Sequence, residues 1–472
     1  TSGLEGPPVW LLLAGFGIEL FRREGPRLVV LVTLSALVGL TRLDALLFVG
    51  PGLVLGAWSL ARDRDFSEIV WAQLAWLPLI GWHLFSLVYY GSLVPNTAWA
   101  KLGAGIASSE LIAQAPNYYT WLITYDPVTL PLIGFGAMLP LAHRDVRGAV
   151  LSVGIVLYLG YILRIGGDFM GGRFFATPLF VSAFLVSRYP LPRAVAGMVG
   201  VAAVILSLTS GFSPLRSGMG YQRAKALDGV VDERGFYWRG AGLWKNLDTC
   251  EPSHLFARQG RERRLRGPGV VNKAVIGMYG YYAGPEVHIV DRLALADPVL
   301  ARLPVDEQAG WRIGHFERRL PDGYLAHTAG LDTPVKPEPI AELVRLVDVV
   351  TRGPSLLSWK RLDAIRKLND GTIDALVGSA PDHYPRLRWV DVAEGQAAIE
   401  REGVGLRLED FSGTLALDLT EDVRWRVVVR RGRQTLVDRV LWGGALTERV
   451  HNVDSLFIYA LDAGQASWSL GG

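Results

Sequence analysis

Eight apolar segments within the first 212 residues constrain the fold of this chain more than any other feature. They occupy residues 8–21, 28–41, 45–61, 69–90, 129–142, 149–165, 174–187 and 194–211. A straight helix needs about 20 apolar residues to cross a bilayer, and its backbone groups must be satisfied internally. The pattern therefore predicts a polytopic α-helical membrane domain over 1–212 with about eight spans, some of them bent near Pro78 and Pro131.

The connecting loops predict which side of the membrane each part of the chain faces. The loops after the first, third, fifth and seventh apolar segments are short, and each holds at least two arginines, which is typical of cytoplasmic loops. If the spans alternate, the remaining loops share the outer face with everything after residue 212. Those outer loops are 1–5, 41–44, 91–128 and 166–175.

The second half of the chain carries most of its charged residues and predicts water-soluble structure. Short strands near 270–273 and 287–291 and helices at 337–350 and 355–369 indicate an extracytoplasmic α/β region over 213–385. Alternating apolar and polar residues then predict a β-rich, sandwich-like module over 386–472. The chain begins at Thr1 without a signal-peptide pattern, so we expect further membrane spans upstream.

Composition excludes several classes of function. The net charge is only +3 and the arginines are scattered without a nucleic-acid-binding motif, so no nucleic-acid partner is predicted. One cysteine, Cys250, excludes an intramolecular disulfide, and the histidines lack metal-ligand spacing. No protein-made metal site and no certain cofactor are predicted, although a bound divalent cation is compatible with the sequence.

Residues 166–175 place Asp168 and Arg173 five positions apart among four glycines. Ionised groups at membrane depth are costly and commonly functional. One interpretation is a salt bridge that closes a tight turn between helices, with glycines supplying positive φ angles. The other is a ligand site in which the planar fork of Arg173 binds a phosphate. No strand precedes these glycines, so they do not form a dinucleotide-binding fingerprint.

Other charged and polar residues of the predicted outer face have two interpretations each. Glu5, Arg42 and Asp44 are either solvated loop charges and ion pairs, or a base and a phosphate clamp that converge with Asp168. Asn96 and Lys101 are either interfacial anchors or contacts to a lipid phosphate.

Tyr89 belongs to an aromatic group suited to the boundary between lipid and water. Asp291, after the second predicted strand, either caps the sheet edge or lines a sugar groove. Neither position is assigned by spacing alone.

Several motifs together resemble bacterial type-C glycosyltransferases, and most closely the terminal β-(1→2) arabinofuranosyltransferase family of actinobacterial cell walls. They are Thr1-Ser2-Gly3-Leu4-Glu5, Tyr89-Tyr90-Gly91 with Pro95-Asn96-Thr97 and Lys101, Gly167-Asp168-Phe169-Met170 with Arg173-Phe174, and Gly280-Tyr281-Tyr282-Ala283-Gly284-Pro285 running to Asp291. The likeness spans most of residues 1–330.

The resemblance implies a multi-pass inner-membrane enzyme that transfers a sugar with inversion from a polyprenyl-phosphate carrier to an outer-face glycan. Asp168, Asp44 and Glu5, the acids of the predicted outer face, are the candidate catalytic residues, and the resemblance makes the β module a candidate carbohydrate-binding attachment. Candidate contacts to the donor phosphate are Arg173, Arg42 and Lys101, and candidate substrate contacts are Asn96, Tyr89, Tyr282 and Asp291.

The resemblance also places the family's principal catalytic acid in the first outer loop. We expect that loop to precede Thr1, so this role is carried over to none of the residues named above. Two alternatives remain open from the sequence. One is a related transferase of mannose or another hexose, and the other is a membrane assembly protein that binds glycan or lipid without transferring anything.

Overall fold

The computed structural model describes most of the chain. The described residues are 6–62, 66–102, 106, 108–209, 229–242, 246–249, 251–305, 314–373, 375, 386–390, 394–399, 402–431, 434–460 and 464–471. They fall into two compact units, Thr1–Leu93 with Ala107–His254, and Val94–Ile106 with Leu255–Gly472. The three-domain division at 1–212, 213–385 and 386–472 stays a prediction.

The first unit is helical, and each of the eight predicted apolar segments coincides with helix. Its helices are α1 (Gly6–Leu20), α2 (Leu28–Thr41), α3 (Leu46–Arg62), α4 (Phe66–Leu74), α5 (Leu77–Tyr90), α7 (Ser108–Tyr125), α8 (Thr129–Ala142), α9 (Val146–Arg164), α10 (Ala176–Arg188), α11 (Arg193–Thr209) and α12 (Glu233–Ala241). Helix α6 (Asn96–Leu102) belongs to the second unit.

Fewer helices than predicted are long enough to cross a bilayer. Within the described residues, three stretches have both the length and the hydropathy of a span: Leu43–Arg62, Ser67–Tyr90 and Val146–Arg164. The pair Leu111–Tyr125 and Thr129–Ala142 makes a fourth if its two helices form one broken span. The membrane character of the first unit is supported, whereas the number of eight spans is not confirmed.

The two prolines mark breaks in the helices, as predicted. Pro78 lies in the first turn of α5, directly after the interruption that follows α4. Pro131 lies in the first turn of α8, which is bent by 101° from α7. The carboxylate of Asp126 accepts hydrogen bonds there from Thr129 N (3.2 Å) and Thr129 Oγ1 (2.6 Å), so the start of α8 is capped within the bend.

Glycines let the helices of this unit approach closely. A Cβ on Gly136 would lie 2.6 Å from the carbonyl oxygen of Ser182, and one on Gly154 would lie 2.7 Å from that of Phe48. Small residues at such contacts are typical of helix pairs in membranes, where packing replaces the hydrophobic driving force. Helix α9, which contains Gly154, is therefore held tightly against α3.

The second unit begins with mixed helix and strand. Its elements up to residue 375 are α6, α13 (Leu255–Arg264), β1 (Gly269–Lys273), α14 (Gly277–Ala283), β2 (Val287–Asp291), α15 (Tyr324–Thr328), α16 (Glu338–Thr351) and α17 (Trp359–Asn369). Strands β1 and β2 are parallel, with α14 as their crossover. This confirms the parallel alternative for these strands and the two predicted helices.

A buried arginine joins distant segments of this unit. Arg318 is 2% exposed, and its guanidinium donates to the carbonyl oxygens of Leu303 (2.8 Å), Phe316 (2.9 Å) and Ala100 in α6 (2.9 Å). Burial lowers the pKa of Arg318 to about 10, so the side chain remains charged at neutral pH. It fixes α6 through hydrogen bonds to backbone rather than through a direct ion pair.

Asp297 predicts a local pH dependence in the same region. Its carboxylate is buried and accepts from Val299 N, Leu300 N and the Tyr324 hydroxyl, and burial raises the pKa of this carboxyl above its usual value. The folded state therefore binds more protons than the unfolded state between the usual and the raised pKa. Stability of this segment should be greatest at acidic pH and fall as pH rises through the raised pKa.

Amide hydrogen exchange of the segment 297–303, corrected for intrinsic rates between pH 4 and 7, measures this effect. We expect Asp297→Asn to flatten the dependence, because the amide cannot ionise, while Asp322→Asn at an exposed position leaves it unchanged. Equal slopes for wild type and Asp297→Asn would contradict this origin.

The C-terminal part is a β module, as predicted. Its strands are β3 (Arg386–Val390), β4 (Glu394–Ile399), β5 (Glu402–Arg431), β6 (Gln434–Ala460) and β7 (Gly464–Gly471), with sheet order β3-β5-β7-β4 and β6 paired to β5. All the pairings are antiparallel except that of β3 with β5. The long strands β5 and β6 change register several times and enclose an apolar cluster around Trp425, Leu456 and Trp468.

Candidate functional site

Two glycines bring the 166–175 loop against helix α7. Gly167 has φ +85°, and a Cβ there would lie 2.5 Å from the Tyr118 ring. A Cβ on Gly171 would overlap the indole of Trp121. Only glycine fits both positions, because any side chain would have to displace a buried aromatic ring.

Hydrogen bonds then fix the course of the loop. The Tyr118 hydroxyl donates to Met170 O (3.0 Å) and accepts from Phe174 N (3.2 Å). Val231, just before α12, donates to Phe169 O (2.7 Å) and accepts from Gly171 N (3.0 Å). The loop is thus held on one side by α7 and on another by a short parallel bridge to residue 231.

Within this loop Asp168 and Arg173 form the predicted ion pair. Arg173 Nη1 lies 3.4 Å from Asp168 Oδ2, and Phe169 N donates to Asp168 Oδ1 (3.0 Å). The side chain of Asp168 is completely buried, whereas that of Arg173 is 24% exposed. The carboxylate therefore orients the guanidinium, and the guanidinium is the member of the pair that a ligand can reach.

A second ion pair lies between α2 and α3. Arg42 ends α2, and Asp44 lies in the single 3-10 turn that leads into α3. Arg42 binds Asp44 in a bidentate manner, with Nε 2.9 Å from Oδ1 and Nη2 against Oδ2. The hydroxyl of Tyr158 on α9 accepts from Arg42 Nη2 (2.8 Å) and donates to Asp44 Oδ2 (2.8 Å). Both charged side chains keep a small exposed fraction, 11% and 15% respectively.

The ring of Phe174 brings the two ion pairs together. The guanidinium carbon of Arg42 lies 5.5 Å from the ring centroid, and that of Arg173 lies 5.9 Å from it. Both distances are within the range of cation–π attraction. Tyr158 meets the same ring edge-on at 6.5 Å. Residues far apart in sequence thus form one charged cluster, consisting of Arg42, Asp44, Asp168 and Arg173 around Phe174.

We expect Tyr158→Phe to destabilise the first unit by about 1–3 kcal/mol, because hydrogen bonds to two charged groups are lost while the ring is kept. The ring stacks on Phe48 with centroids 4.6 Å apart, so packing should change little. The apparent melting temperature of the detergent-solubilised chain measures the effect.

Tyr161→Phe, one turn further along α9, is the matched control for this substitution. Its ring also packs beside Tyr158, at a centroid distance of 5.8 Å. Equal melting temperatures for Tyr158→Phe and Tyr161→Phe would show that the bridging hydroxyl contributes nothing.

The remaining predicted site residues lie elsewhere. Glu5 is outside the described residues. Tyr89, 47% exposed in the last turn of α5, stacks on Phe85 with centroids 5.2 Å apart. Asn96 begins α6 and Lys101 lies in its last turn, both in the second unit.

Two further predicted residues lie in the second unit. Asp291 is 1% exposed, and its oxygens accept from Leu293 N (3.0 Å) and Ala296 N (3.0 Å), so it organises the turn after β2. Tyr282 is half-buried, with the guanidinium of Arg261 4.8 Å from its ring centroid. Their roles in substrate binding stay predictions.

Four aromatic residues of the site were not singled out from the sequence as site residues: Tyr118, Trp121, Tyr158 and Phe174. Tyr158 carried a signal, since a tyrosine within an apolar helix needs a partner for its hydroxyl. Phe174 was quoted only as part of a family motif, and its residue type alone does not distinguish it from ordinary core. The indole nitrogen of Trp121 is buried and has no hydrogen-bond partner within the part of the chain that the structure describes.

The described residues contain no group of three or more His, Cys, Asp or Glu side chains suited to a metal ion. The charged groups of the cluster are two guanidiniums and two carboxylates. Arginine forks suit the oxygens of a phosphate, and carboxylates accept protons from hydroxyl groups. The arrangement can therefore hold an anionic group beside a proton acceptor at an apolar helical body.

Fold and site together define a membrane-type helical protein with a cluster of two arginines and two aspartates around one phenylalanine. Comparison with known proteins finds relatives that are named as glycosyltransferases. The chain is 26% identical over 418 residues to the terminal beta-(1->2)-arabinofuranosyltransferase of Mycobacterium tuberculosis, an alignment that covers 69% of this chain and 64% of that relative.

A second relative has the same name and comes from Corynebacterium glutamicum. It is 28% identical over 202 residues, which cover 39% of this chain and 29% of the relative. No protein-family model and no solved structure matches the chain. The chain spans less than two thirds of the length of each of these relatives. The predicted resemblance to the terminal arabinofuranosyltransferase family is confirmed.

Proposed function

We propose that the chain is part of a multi-pass membrane glycosyltransferase of type-C architecture. In this proposal it transfers arabinofuranose from a polyprenyl-phosphate donor, with inversion, to a cell-envelope glycan at the outer face of the inner membrane. The observation that carries the proposal is the cluster of Arg42, Asp44, Asp168 and Arg173 around Phe174 within an apolar helical unit. The curated relatives supply the class of sugar.

Arg173 is assigned to the donor phosphate. Its guanidinium is the more exposed of the two arginines in the cluster, and Asp168 and Phe174 fix its position. As the bond between the anomeric carbon and the phosphate oxygen breaks, negative charge grows on the leaving group. A preoriented cation at that point stabilises the transition state more than the ground state. Asp168, being fully buried, acts as a positioning residue for Arg173.

Asp44 is assigned as the proton acceptor among the described residues. Its carboxylate retains an exposed edge and is held by Arg42 and Tyr158. The acceptor hydroxyl oxygen would attack the anomeric carbon, its proton would pass to the carboxylate, and polyprenyl phosphate would leave with the bonding electron pair. Positioning supplies much of the acceleration, since the phosphate is already a good leaving group.

The other parts of the proposal rest on the sequence. Lys101 is a further candidate contact to the donor phosphate, while Asn96, Tyr89, Tyr282 and Asp291 are candidates for contact with the sugars. The β module is proposed as a carbohydrate-binding attachment on the outer side of the membrane. A bound divalent cation stays compatible with this proposal.

The test is transfer by the full protein in membranes, supplied with radiolabelled polyprenyl-phosphoarabinose and a short arabinan acceptor. We expect labelled acceptor carrying one additional residue, with an anomeric configuration opposite to that of the donor. Polyprenyl-phosphomannose serves as the competing donor. Transfer of mannose but not arabinose would replace the furanose proposal by a hexosyltransferase, and glycan binding without any transfer would contradict an enzyme.

A further inference from the structure

A cavity of about 580 Å³ lies in the second unit, and none of the residues that line it is proposed above for transfer. The turn at 332–335 and one face of α16 form its walls, and Lys360 from the first turn of α17 closes one side. This volume is within the range of cavities that hold small organic ligands, about 300–1,000 Å³.

The charged groups around the cavity are mainly basic. Arg345, Arg352 and Lys360 stand against two carboxylates, Asp332 and Asp348. Asp348 is already engaged on both oxygens, since Arg352 Nε lies 3.2 Å from Oδ1 and His327 Nε2 lies 2.6 Å from Oδ2. The lining thus holds three cations and two carboxylates, and one of the cations, Arg345, is paired with Glu342 outside the lining.

Two of the cations are available to a ligand. Lys360 is exposed and forms no ion pair with any residue that the structure describes. The side chain of Arg352 is 46% exposed and contacts a carboxylate through Nε. Arg345, by contrast, is held by Glu342 through two hydrogen bonds of 2.6 and 2.5 Å. An anion at this end of the cavity would meet Lys360 and Arg352 first.

The rest of the lining is mostly apolar, apart from Thr333 and the imidazole ring of His327. Val335 and Val344 are buried at its floor, with Pro334, Ala341 and Val349 beside them. An apolar floor next to a basic end suits a ligand with an anionic group attached to a compact body, such as the ring of a monosaccharide. A fully hydrated inorganic ion would leave the apolar part of the cavity unfilled.

We propose that this cavity binds a small sugar through an anionic substituent, either a phosphate ester or a carboxylate, held by Lys360 and Arg352. The site is separate from the residues proposed for sugar transfer and does not depend on that proposal. It would give the second unit a means of recognising acidic or phosphorylated saccharides.

Isothermal titration calorimetry of the full chain in a non-ionic detergent tests this site at fixed ionic strength. The probes are arabinose 5-phosphate, glucuronate and neutral arabinose. We expect at least one anionic probe to bind about tenfold or more tightly than arabinose, and Lys360→Glu and Arg352→Ala each to weaken that binding by about tenfold. Preference for arabinose 5-phosphate identifies the phosphate ester, and preference for glucuronate identifies the carboxylate.

Two control variants separate this site from others. Arg258→Ala removes an exposed arginine of α13 that does not line the cavity, and it should leave the affinity unchanged. Arg173→Ala should also retain the binding, which distinguishes this cavity from the proposed transfer site. Equal affinity for the anionic and neutral sugars, or Lys360→Glu within twofold of wild type, would overturn the proposal.

Discussion

Arg173→Ala is expected to lower the rate of sugar transfer by at least ~10³-fold. Arginines that stabilise charge on a phosphate during its transfer contribute effects of this size. The side chain of Arg173 is partly exposed, is oriented by Asp168 and lies beside Phe174, so alanine removes the charge from a preorganised position. Transfer from polyprenyl-phosphoarabinose in membranes measures the loss.

The same substitution should also destabilise the protein, and this effect must be separated from catalysis. Arg173→Ala removes the cation that is paired with the buried Asp168 carboxylate, and breaking a buried ion pair on one side costs about 3–5 kcal/mol. Asp168→Asn with Arg173→Ala removes both charges, while the amide oxygen still accepts from Phe169 N. We therefore expect the double variant to recover a melting temperature near that of wild type and to remain inactive.

Arg188→Ala is the matched control for these variants. Arg188 is exposed at the end of α10, and its guanidinium lies 4.7 Å from the centroid of Phe21. It thus has the same type of cation–π contact as Arg173 without belonging to the charged cluster, and its loss should leave transfer unchanged. Recovery of both stability and transfer in the double variant would show that the Asp168–Arg173 pair is only structural.

The helices of the first unit could be predicted from the sequence because each depends mainly on the residues of its own apolar run. An apolar run has few alternatives to a helix in a membrane, and within the described residues each of the eight predicted runs overlaps with helix, the run 69–90 as two helices. The number of membrane spans could not be predicted in the same way, because it depends on where helices bend and on how short helices are accommodated in the bilayer. The bend between α7 and α8 illustrates this, since Pro131 indicated a break but not its angle of 101°.

The sequence predicted which charged residues share the outer face, but it did not predict their contacts with one another. Alternation of the spans placed Arg42, Asp44, Asp168 and Arg173 on one predicted face, and the structure brings them together. The structure shows the salt bridge of the first interpretation, and the ligand site of the second, at the partly exposed Arg173, stays a prediction. No sequence pattern could have paired residue 231 with this loop, since that contact joins segments distant in sequence and uses backbone groups alone.

For Asp291, the residue type did not indicate whether the side chain binds a ligand or stabilises a turn. A carboxylate after a strand suits either a ligand or a turn, and spacing does not distinguish them. In the structure both of its oxygens accept from backbone N–H groups of the following turn. Backbone partners of this kind depend on the conformation of the loop, which the identities of the side chains do not specify.

Gly167→Ala is expected to destabilise the fold strongly, through backbone strain and a steric clash together. Gly167 has φ +85°, where an L-residue costs roughly 1–2 kcal/mol, and the added Cβ would lie 2.5 Å from the buried ring of Tyr118. Overpacking of this kind typically costs a further ~1–3 kcal/mol. Tyr118 cannot yield freely, because its hydroxyl holds both Met170 O and Phe174 N.

Comparison with Gly172→Ala, in the same loop, separates the steric clash at Gly167 from the backbone strain. Gly172 has φ +75°, so the backbone strain is similar, but a Cβ there would meet only Leu122 at 3.9 Å. The difference in unfolding free energy between the two variants should therefore be about 1–3 kcal/mol, the cost of displacing Tyr118. Denaturant unfolding in detergent measures that difference, and transfer assays on the same samples should rank the variants in the same order. If Gly167→Ala were as stable as Gly172→Ala, the loop would have room to move away from α7, and the preorganisation assigned to Arg173 would lose its structural basis.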